Sequence, residues 1–249
     1  MAIWEEKMIR LFIGSSSNGE DATIEAAYLN SIDKHASTDV QLTFMRQTNN
    51  PTSFWNGWQT ETWPTPFSGF RWGIAEYCGF EGRAIYTDCD MINYRDMQEL
   101  MDIDMEGKPL AARKGTRFGG HEFCVTVIDC KAFKEFAIPV DRVKSISETH
   151  QRMIRKFSGN DDLVKELDPR WNCLDGEDYD LGEIYQLHYT NMATQPWTPA
   201  WFTGNIQQHP RQDVVEEYER ALEEARGNGY NPEDLVPATK FGQYNIIGR

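Results

Sequence analysis

The N-terminal part of the chain has the pattern of a βαβ unit, and this pattern restricts the fold more than any other feature of the sequence. Residues 9–13 are nearly continuously apolar, as in a parallel strand covered on both faces, and they run into a turn at 14–19 rich in Gly and Ser. Apolar residues then recur at helical spacing over 24–32, and they alternate over 40–44 as in a second strand. Because parallel strands joined by helices bind ligands at their carboxyl ends, the turn at 14–19 is the expected place for a nucleotide.

The alternation of helices and strands continues along the chain. The spacing of apolar residues predicts helices over 66–79, 95–101, 148–157, 163–167 and 212–226, and strands over 83–87, 109–112, 123–128 and 185–189. The segment 49–72 is rich in aromatic residues and begins as a loop, whose rings either fix it to the body of the protein or stack on sugar rings. We expect a single α/β domain over residues 1–205 with a C-terminal helical extension, residues 206–249, packed on it.

Composition restricts the partners and the compartment. The formal net charge of −14 repels polyanions, which argues against a nucleic-acid partner. The sequence has neither an apolar run long enough to span a bilayer nor the features of a secretory signal, so we expect no transmembrane segment and a cytoplasmic location. Its five cysteines lack metal-finger spacing and are expected to be reduced, buried thiols. The one compact basic cluster, Arg113, Lys114 and Arg117, is predicted to be a solvated loop rather than a phosphate or acceptor contact.

Two aspartates at the end of an apolar strand form the strongest candidate metal site. The strand 83–87 leads directly into Asp88-Cys89-Asp90. In an extended backbone, side chains two apart point the same way, so Asp88 and Asp90 converge on one cation while Cys89 points into the protein. Oxygen-rich sites of this kind bind Mg²⁺ or Mn²⁺ and leave room for phosphates, and an imidazole such as that of His188 favours Mn²⁺. The pattern therefore indicates a divalent metal and a nucleotide diphosphate substrate.

Three ordered segments carry a resemblance to a known family. The first is a helix with Arg71, the strand ending in Asp-Cys-Asp, and a short helix at 96–100. The second is Leu-Asp-Pro-Arg-Trp-Asn at 167–172, and the third is His188 followed by Gln-Pro-Trp at 195–197. Together they resemble the GT-A-fold glycosyltransferases of the glycogenin and lipopolysaccharide glycosyltransferase family, over roughly residues 8–201.

The resemblance implies a GT-A-like (Rossmann-like) fold with a mostly parallel sheet flanked by helices. It also implies metal-dependent transfer of a hexose from a UDP-sugar donor to an unidentified acceptor, which is a glycan, a protein or a small molecule. By position in the motifs, the catalytic residues would be Arg71 and Asp90, and the ligands of Mn²⁺ (or Mg²⁺) would be Asp88, Asp90 and His188. The nucleotide-binding residues would be Ile13, Gly14, Ser15, Ser16, Arg71, Asp88 and Cys89. The sugar or acceptor contacts would be His150, Gln151, Trp171, Asn172, Gln195 and Trp197.

The sequence departs from the family pattern at three places around the sugar. Gln195 stands where the family has a lysine, residues 113–122 replace an acid followed by Phe-Asn-Ser-Gly, and the family's Asp-Gln pair is matched by His150-Gln151 or replaced by Asp161-Asp162. The identity of the transferred sugar and the stereochemistry are therefore open.

Several alternatives remain at this point. A haloacid-dehalogenase-like phosphatase also uses Asp-X-Asp, with Asp161-Asp162 as its later acidic pair, although there the motif usually follows the first strand. A non-catalytic sugar-nucleotide-binding protein would explain the altered sugar pocket. Arg71 is as compatible with a salt bridge on the helix surface as with a catalytic function, and Trp171 is as compatible with a core position as with an acceptor contact. The charged helix 212–226 would pack at the periphery of the domain or, as the minor alternative, form a homodimer.

Overall fold

The computed structural model describes residues 8–17, 19–115, 119–146, 148–198 and 202–235. Within these ranges the strands are β1 (Ile9–Gly14), β2 (Val40–Met45), β3 (Arg83–Asp88), β4 (Met91–Asn93), β5 (Leu110–Lys114), β6 (His121–Asp129), β7 (Val164–Glu166), β8 (Cys173–Leu174) and β9 (Gln186–His188). The α-helices are α1 (Ala22–His35), α2 (Ile74–Tyr77), α3 (Gln98–Met101), α4 (Cys130–Phe133), α5 (Val140–Ser145), α6 (Thr149–Phe157), α7 (Gln212–Gly227) and α8 (Pro232–Leu235). Short 3₁₀ helices cover Phe70–Gly73, Pro169–Asn172 and Leu181–Glu183.

A six-stranded sheet with the order β2-β1-β3-β6-β5-β7 forms the centre of the molecule. The pairs β1–β2, β1–β3 and β5–β7 are parallel, whereas β3–β6 and β5–β6 are antiparallel. A second sheet has the order β4-β9-β8. The predicted fold class, a mostly parallel α/β sheet flanked by helices, is confirmed.

The predicted βαβ opening is present as β1, α1 and β2, because the apolar residues of both strands are buried. The helix predicted over 66–79 is a 3₁₀ turn followed by α2, and it ends at Gly79 with a φ of +64°, as a helix cap requires. The helix predicted from residue 95 begins only at Gln98, because the Asp96 carboxylate accepts a hydrogen bond from the Gln98 amide at 2.9 Å and forms a turn there.

One predicted element has the wrong type. The segment 163–167 was expected to be helical, but Val164–Glu166 is strand β7, which pairs in parallel with β5 at the edge of the main sheet. A segment of only five residues does not distinguish a helix turn from a strand. The open edge of β5 decides the outcome, because it supplies the backbone hydrogen-bond partners that such a short segment cannot supply for itself.

The aromatic segment before α2 is fixed to the body of the protein by its own rings. Trp55, Trp58, Phe70 and Trp72 are all buried. The Trp55 and Phe70 ring centroids lie 5.6 Å apart, and those of Trp58 and Phe70 lie 5.3 Å apart, both edge to face. Edge-to-face packing at these distances is favourable beyond the burial of area. The rings were predicted either to fix the segment to the body of the protein or to stack on sugar rings. These four rings fix the segment.

Helix α7 packs against α1 and closes one side of the molecule. Its buried face contains Val214, Tyr218, Ala221 and Ala225. The peripheral packing predicted for this helix is confirmed, while the domain boundary at 205 and a homodimer stay predictions. No helix in the described part of the chain combines the length and apolar content needed to cross a bilayer.

The predicted basic loop is wrong for Arg113. Only 1% of its side chain is exposed, and its guanidinium lies 2.6 Å from the Glu177 carboxylate. Lys114 is exposed as predicted, and Arg117 lies outside the described residues. A charge this deeply buried needs a partner, and Glu177, which is distant in sequence, provides it. The cysteines are free thiols as expected, but Cys78 and Cys124 are only half buried.

His150 is held against the aromatic segment in its neutral form. The Trp72 indole N–H donates to His150 Nδ1 at 3.0 Å. Burial, together with the positive charge of Arg71, lowers the pKa of His150 to about 3. The imidazole is therefore uncharged in the folded protein well above pH of about 3.

This neutral histidine should make the fold sensitive to acid. The unfolded chain protonates the imidazole below pH of about 6.5, whereas the folded chain does not, so the free energy of unfolding falls as the pH drops from there toward 3, by up to about 1.4 kcal/mol per pH unit. We expect the free energy of unfolding, measured with urea in metal-free buffer, to fall between pH 6.5 and 4.5 in both proteins. The fall should be about 2 to 3 kcal/mol smaller for His150→Asn than for the parent protein. The half-buried His35, changed to Asn, serves as the control and should leave most of the loss in place. Parallel curves for His150→Asn and the parent would contradict the assignment.

Candidate active site

A cleft of about 450 Å³ opens at the carboxyl end of β3. Its lining combines three acids, one arginine, three histidines and one cysteine with apolar and hydroxyl side chains: Pro64, Thr65, Ser68, Arg71, Asp88, Asp90, His121, Glu122, Phe123, Cys124, His150, Ile154, Leu174, His188, Thr190 and Met192. Ligands of α/β proteins bind at this end of the strands, so the cleft lies where the topology predicts a site.

The two sheets bring together the three side chains predicted to bind the metal. Asp88 is the last residue of β3, and the antiparallel pair β4–β9 sets Met91 opposite His188, which holds that imidazole beside the aspartates. His188 Nε2 lies 3.2 Å from Asp90 Oδ1 and 3.9 Å from Asp88 Oδ2. Residues about a hundred positions apart in sequence thus form one cluster at the floor of the cleft.

His188 is oriented by a residue behind it. Its Nδ1 lies 2.7 Å from the side-chain oxygen of the buried Asn172, so Nδ1–H donates and Nε2 faces the two carboxylates. Burial alone would lower the pKa of His188, but the charge of Asp90, its hydrogen bond and the charge of Asp88 outweigh burial and raise that pKa. A metal-binding histidine is commonly fixed in this way, through its other ring nitrogen.

The donor set fits a divalent cation. Asp90 Oδ1 is a buried atom whose neighbour is the His188 imidazole nitrogen at 3.2 Å, and it faces the same space as Asp88. Burial raises the pKa of Asp90, and the neighbouring His188 lowers it in part. Two carboxylates crowded around one imidazole nitrogen need positive charge between them, which either a proton or a metal ion supplies.

Arg71 lies beside Asp88 and is not a surface residue. One of its terminal nitrogens is 3.2 Å from Asp88 Oδ1 and 3.0 Å from the Tyr86 hydroxyl, and its Nε donates to the Ser68 carbonyl at 2.7 Å. The Tyr86 hydroxyl also donates to Asp88 Oδ1. A surface salt bridge, the alternative for Arg71, is therefore wrong: the guanidinium is buried and lines the cleft.

Cys124 is the functional candidate that the sequence did not reveal. Its sulfur and one ligand atom each of Asp88 and His188 lie within 4.8 Å of one another, which is the geometry of a group able to hold a metal. The cysteine lies on the cleft side of β6, between the buried Phe123 and Val125. Alternation along the predicted strand 123–128 indicated which residues share its face, but not that this face meets Asp88.

The turn predicted to bind the nucleoside does not line this cleft. Ile13, Ser15 and Ser16 are buried, and Ser15 Oγ donates to Glu25, whose carboxylate is paired with a neighbouring arginine. A Cβ on Gly14 would lie 2.7 Å from the Phe67 ring, so the turn is packed against other side chains. Cys89 is buried and points into the protein as predicted, so its side chain is not part of the cleft either.

The predicted sugar contacts divide into two groups, and only His150 lines the cleft itself. The Gln195 amide donates to the Tyr189 carbonyl at 2.6 Å and to Asp90 Oδ2 at 3.4 Å, which places it behind the metal cluster. Asn172 orients His188 from the same side. The first group therefore consists of His150, which lines the cleft, and of Gln195 and Asn172, each of which contacts a residue that lines the cleft.

The second group packs elsewhere. The Trp171 ring packs against Tyr185 edge to face, with 5.4 Å between the ring centroids. Of the two alternatives for Trp171, its position is the one in the core. Trp197 stacks on Tyr218 of α7 at 5.2 Å and fastens that helix. The Gln151 amide donates to the Thr62 carbonyl at 2.8 Å. None of these three side chains lines the described cleft, and their assignment as sugar or acceptor contacts stays a prediction.

The acidic pair of the phosphatase alternative lies on the surface. Asp161 and Asp162 are exposed, and Asp161 pairs with Lys114 at 3.1 Å. Neither belongs to the group of described residues able to hold a metal, and neither lines the cleft. The arrangement that a phosphatase of that type needs, a second acidic pair beside Asp-X-Asp, is thus missing from the described cleft.

No protein-family model matches the sequence, and no curated protein matches it either. Solved structures do resemble it. The bifunctional glycosyltransferase WbbM in its apo form gives a TM-score of 0.61 at 12% identity, over 91% of this chain and 52% of WbbM. The glycosyltransferase GlyE of Streptococcus pneumoniae gives 0.55 at 17% identity, over 90% of this chain and 64% of GlyE.

The galactosyltransferase LgtC, solved with donor and acceptor sugar analogues, gives a TM-score of 0.55 at 13% identity, over 88% of this chain and 99% of LgtC. The chain thus spans about half the length of WbbM and under two thirds of GlyE, but almost all of LgtC. Because identities this low establish architecture only, the similarity is one of fold: the chain has the GT-A glycosyltransferase fold that its sequence motifs predicted.

Proposed function

We propose that the protein is a metal-dependent glycosyltransferase that transfers a hexose from a UDP-sugar to a glycan, protein or small-molecule acceptor. The observation that supports this function is the convergence of Asp88, Asp90 and His188 at the floor of a cleft in a GT-A fold. A cleft of about 450 Å³ is also within the size range of small-molecule sites.

Asp88, Asp90 and His188 would hold the metal, Mn²⁺ or Mg²⁺. Oxygen ligands suit both ions, and the imidazole nitrogen favours Mn²⁺. When bound, such an ion acts as a Lewis acid that stabilises the charge developing on a departing diphosphate. Asn172 would keep His188 in the required tautomer and rotamer, since it holds Nδ1 at 2.7 Å.

Arg71 supplies fixed positive charge on the same side of the cleft. Its guanidinium is already engaged by Asp88 and Tyr86, so it is oriented before any ligand arrives. A preoriented donor in a site shielded from water stabilises developing negative charge at little reorganisation cost. This charge matters in a chain whose formal net charge is −14, because the donor is itself an anion.

His150 would contact a sugar hydroxyl as a neutral donor. Its Nδ1 accepts from Trp72, which leaves the ring proton on Nε2, and its pKa of about 3 keeps it neutral. A neutral imidazole can orient a hydroxyl without adding charge beside the metal cluster. The segment around Pro64 and Thr65, which reaches the cleft, would cover the acceptor.

Removing one metal carboxylate should abolish turnover. Asp90→Asn keeps the shape of the side chain but removes a charged ligand, so Mn²⁺-dependent release of UDP from UDP-hexoses should fall by roughly 100-fold or more. Asp162→Asn is the matched control: the same change is made at an exposed position, and it should leave the rate within about twofold. Product formation would be followed as free UDP by chromatography, with and without a chelator.

Two outcomes would contradict the proposal. Release of phosphate from phosphomonoesters that is lost in both variants would favour the phosphatase. Binding of UDP-sugars without UDP release, under every acceptor and metal condition, would favour a non-catalytic sugar-nucleotide-binding protein.

The residue behind the metal histidine should tune metal affinity. In Asn172→Ala the imidazole loses the partner of Nδ1, so the affinity for Mn²⁺ should fall by about 10 to 100-fold. Isothermal titration with Mn²⁺ measures this directly, and circular dichroism checks that the variant is folded. Asn205→Ala, at an exposed position, is the matched control. An unchanged dissociation constant for Asn172→Ala would show that its hydrogen bond with His188 Nδ1 does not contribute to metal binding.

A further inference from the structure

Cys124 lies across from the first aspartate of the metal cluster. Strands β3 and β6 are antiparallel, and their register ends with Thr87 opposite Val125. One step further, Asp88 is opposite Cys124, and directly opposed residues in an antiparallel pair have Cβ atoms only about 5 Å apart. The thiol is half buried and lines the same cleft as Asp88 and His188.

The three ligand atoms are almost close enough to share an ion. The Cys124 sulfur, an Asp88 oxygen and an His188 nitrogen lie within 4.8 Å of one another. Ligand distances of about 2.1 Å for nitrogen or oxygen and about 2.3 Å for sulfur allow two ligands of one ion to be at most about 4.4 Å apart. Because the separations are at most 4.8 Å, side-chain rotations that move the ligand atoms by a few tenths of an ångström would allow all three to bind one ion.

The surroundings of the thiol indicate a ligand rather than a packing residue. His188 is turned toward this space by Asn172, and the buried Asp90 Oδ1 faces it 3.2 Å from the His188 nitrogen. Both observations are independent of the cysteine. A space lined by a thiol, an oriented imidazole and two carboxylates presents ligands of three chemical types to one ion.

We propose that Cys124 is an inner-sphere thiolate ligand of the metal, and that the centre therefore selects Zn²⁺ and Co²⁺ over Mg²⁺. This proposal rests on the proposed function, because it concerns the same ion held by Asp88 and His188. On binding, the sulfur–proton bond is replaced by a metal–sulfur bond and the proton leaves to solvent. Thiolates are soft ligands that suit Zn²⁺ and related ions, whereas Mg²⁺ prefers oxygen alone.

The consequence is a sulfur-dependent metal preference. The set of Asp88, Asp90 and His188 alone would bind Mn²⁺ with oxygen and nitrogen, and removal of the thiol should alter that affinity little. With Cys124 included, loss of the sulfur should weaken Zn²⁺ and Co²⁺ selectively. The test therefore compares the affinity for Zn²⁺ and Co²⁺ with the affinity for Mn²⁺, since their ratio is more informative than any single affinity.

Cobalt provides a direct spectroscopic reading of the thiolate. In the full-length protein, titration with Co²⁺ should produce a thiolate-to-metal charge-transfer band in the near ultraviolet that saturates at one equivalent. Cys124→Ser should lose the band and bind Co²⁺ and Zn²⁺ about 10 to 100-fold more weakly, with Mn²⁺ changed by less than about threefold. Cys78→Ser, which removes another half-buried thiol, should keep both the band and the affinities.

The possible failures are distinguishable. If Co²⁺ binding needs Asp88 and His188 but gives no thiolate band, or if the band survives in Cys124→Ser, the cysteine is not a ligand and the proposed metal centre stands. If Asp88→Asn and His188→Gln leave Co²⁺ and Mn²⁺ binding unchanged, the centre itself is wrong and both proposals fall. Cys124→Ala, checked by thermal unfolding, repeats the test without a hydroxyl that could substitute as a ligand.

Discussion

Two carboxylates and one imidazole share a largely buried space at the end of β3, and the rest of the site is arranged around the charge they create. With 3.2 Å between His188 Nε2 and Asp90, and 3.9 Å to Asp88, the three groups can coexist only with positive charge among them. A proton on the imidazole is one solution, and the carboxylates of Asp90 and Asp88 favour it, since against the effect of burial they raise the pKa of His188. A divalent ion is the other, and it leaves open coordination positions for a substrate.

The surrounding residues reduce the cost of burying this cluster. Arg71 and Tyr86 engage the outer oxygen of Asp88, Asn172 fixes the far side of the imidazole, and Gln195 reaches Asp90. Gln195 is neutral where the resembling family has a lysine, so in the proposed function a bound ion and Arg71 would carry the positive charge of the site. In a chain with a formal charge of −14, binding of an anionic donor would depend on that local charge.

The sequence predicted those parts of the protein that depend on local pattern. Continuous apolar runs indicated β1 and β3, helical spacing indicated α1, and the position of Asp88 after β3 followed from the pattern alone. His188 was found through the order of three motifs, because nothing local distinguishes it. The closeness of these residues in space agrees with the prediction, and their function as metal ligands stays a proposal.

What the sequence missed depends on partners far away along the chain. Cys124 gained its importance from the pairing of β3 with β6, and Arg113 was predicted to be exposed because its partner Glu177 lies in a distant loop. The segment at 163–167 became a strand because β5 offered an edge. The hydroxyl of Ser15 was assigned to a ligand, but the buried Glu25 takes it. In each case a tertiary contact outweighs the local preference.

In the proposed site, one ion lies among Asp88, Asp90 and His188, next to the diphosphate of a nucleotide. Crystals grown with Mn²⁺ and UDP, with diffraction recorded at the manganese absorption edge, provide the decisive measurement. We expect a single anomalous peak within about 2.0 to 2.3 Å of oxygen and nitrogen atoms of these side chains, with diphosphate oxygens completing the coordination. An anomalous map with no peak there, and His188 hydrogen-bonded directly to Asp90 while UDP occupies the cleft, would contradict it.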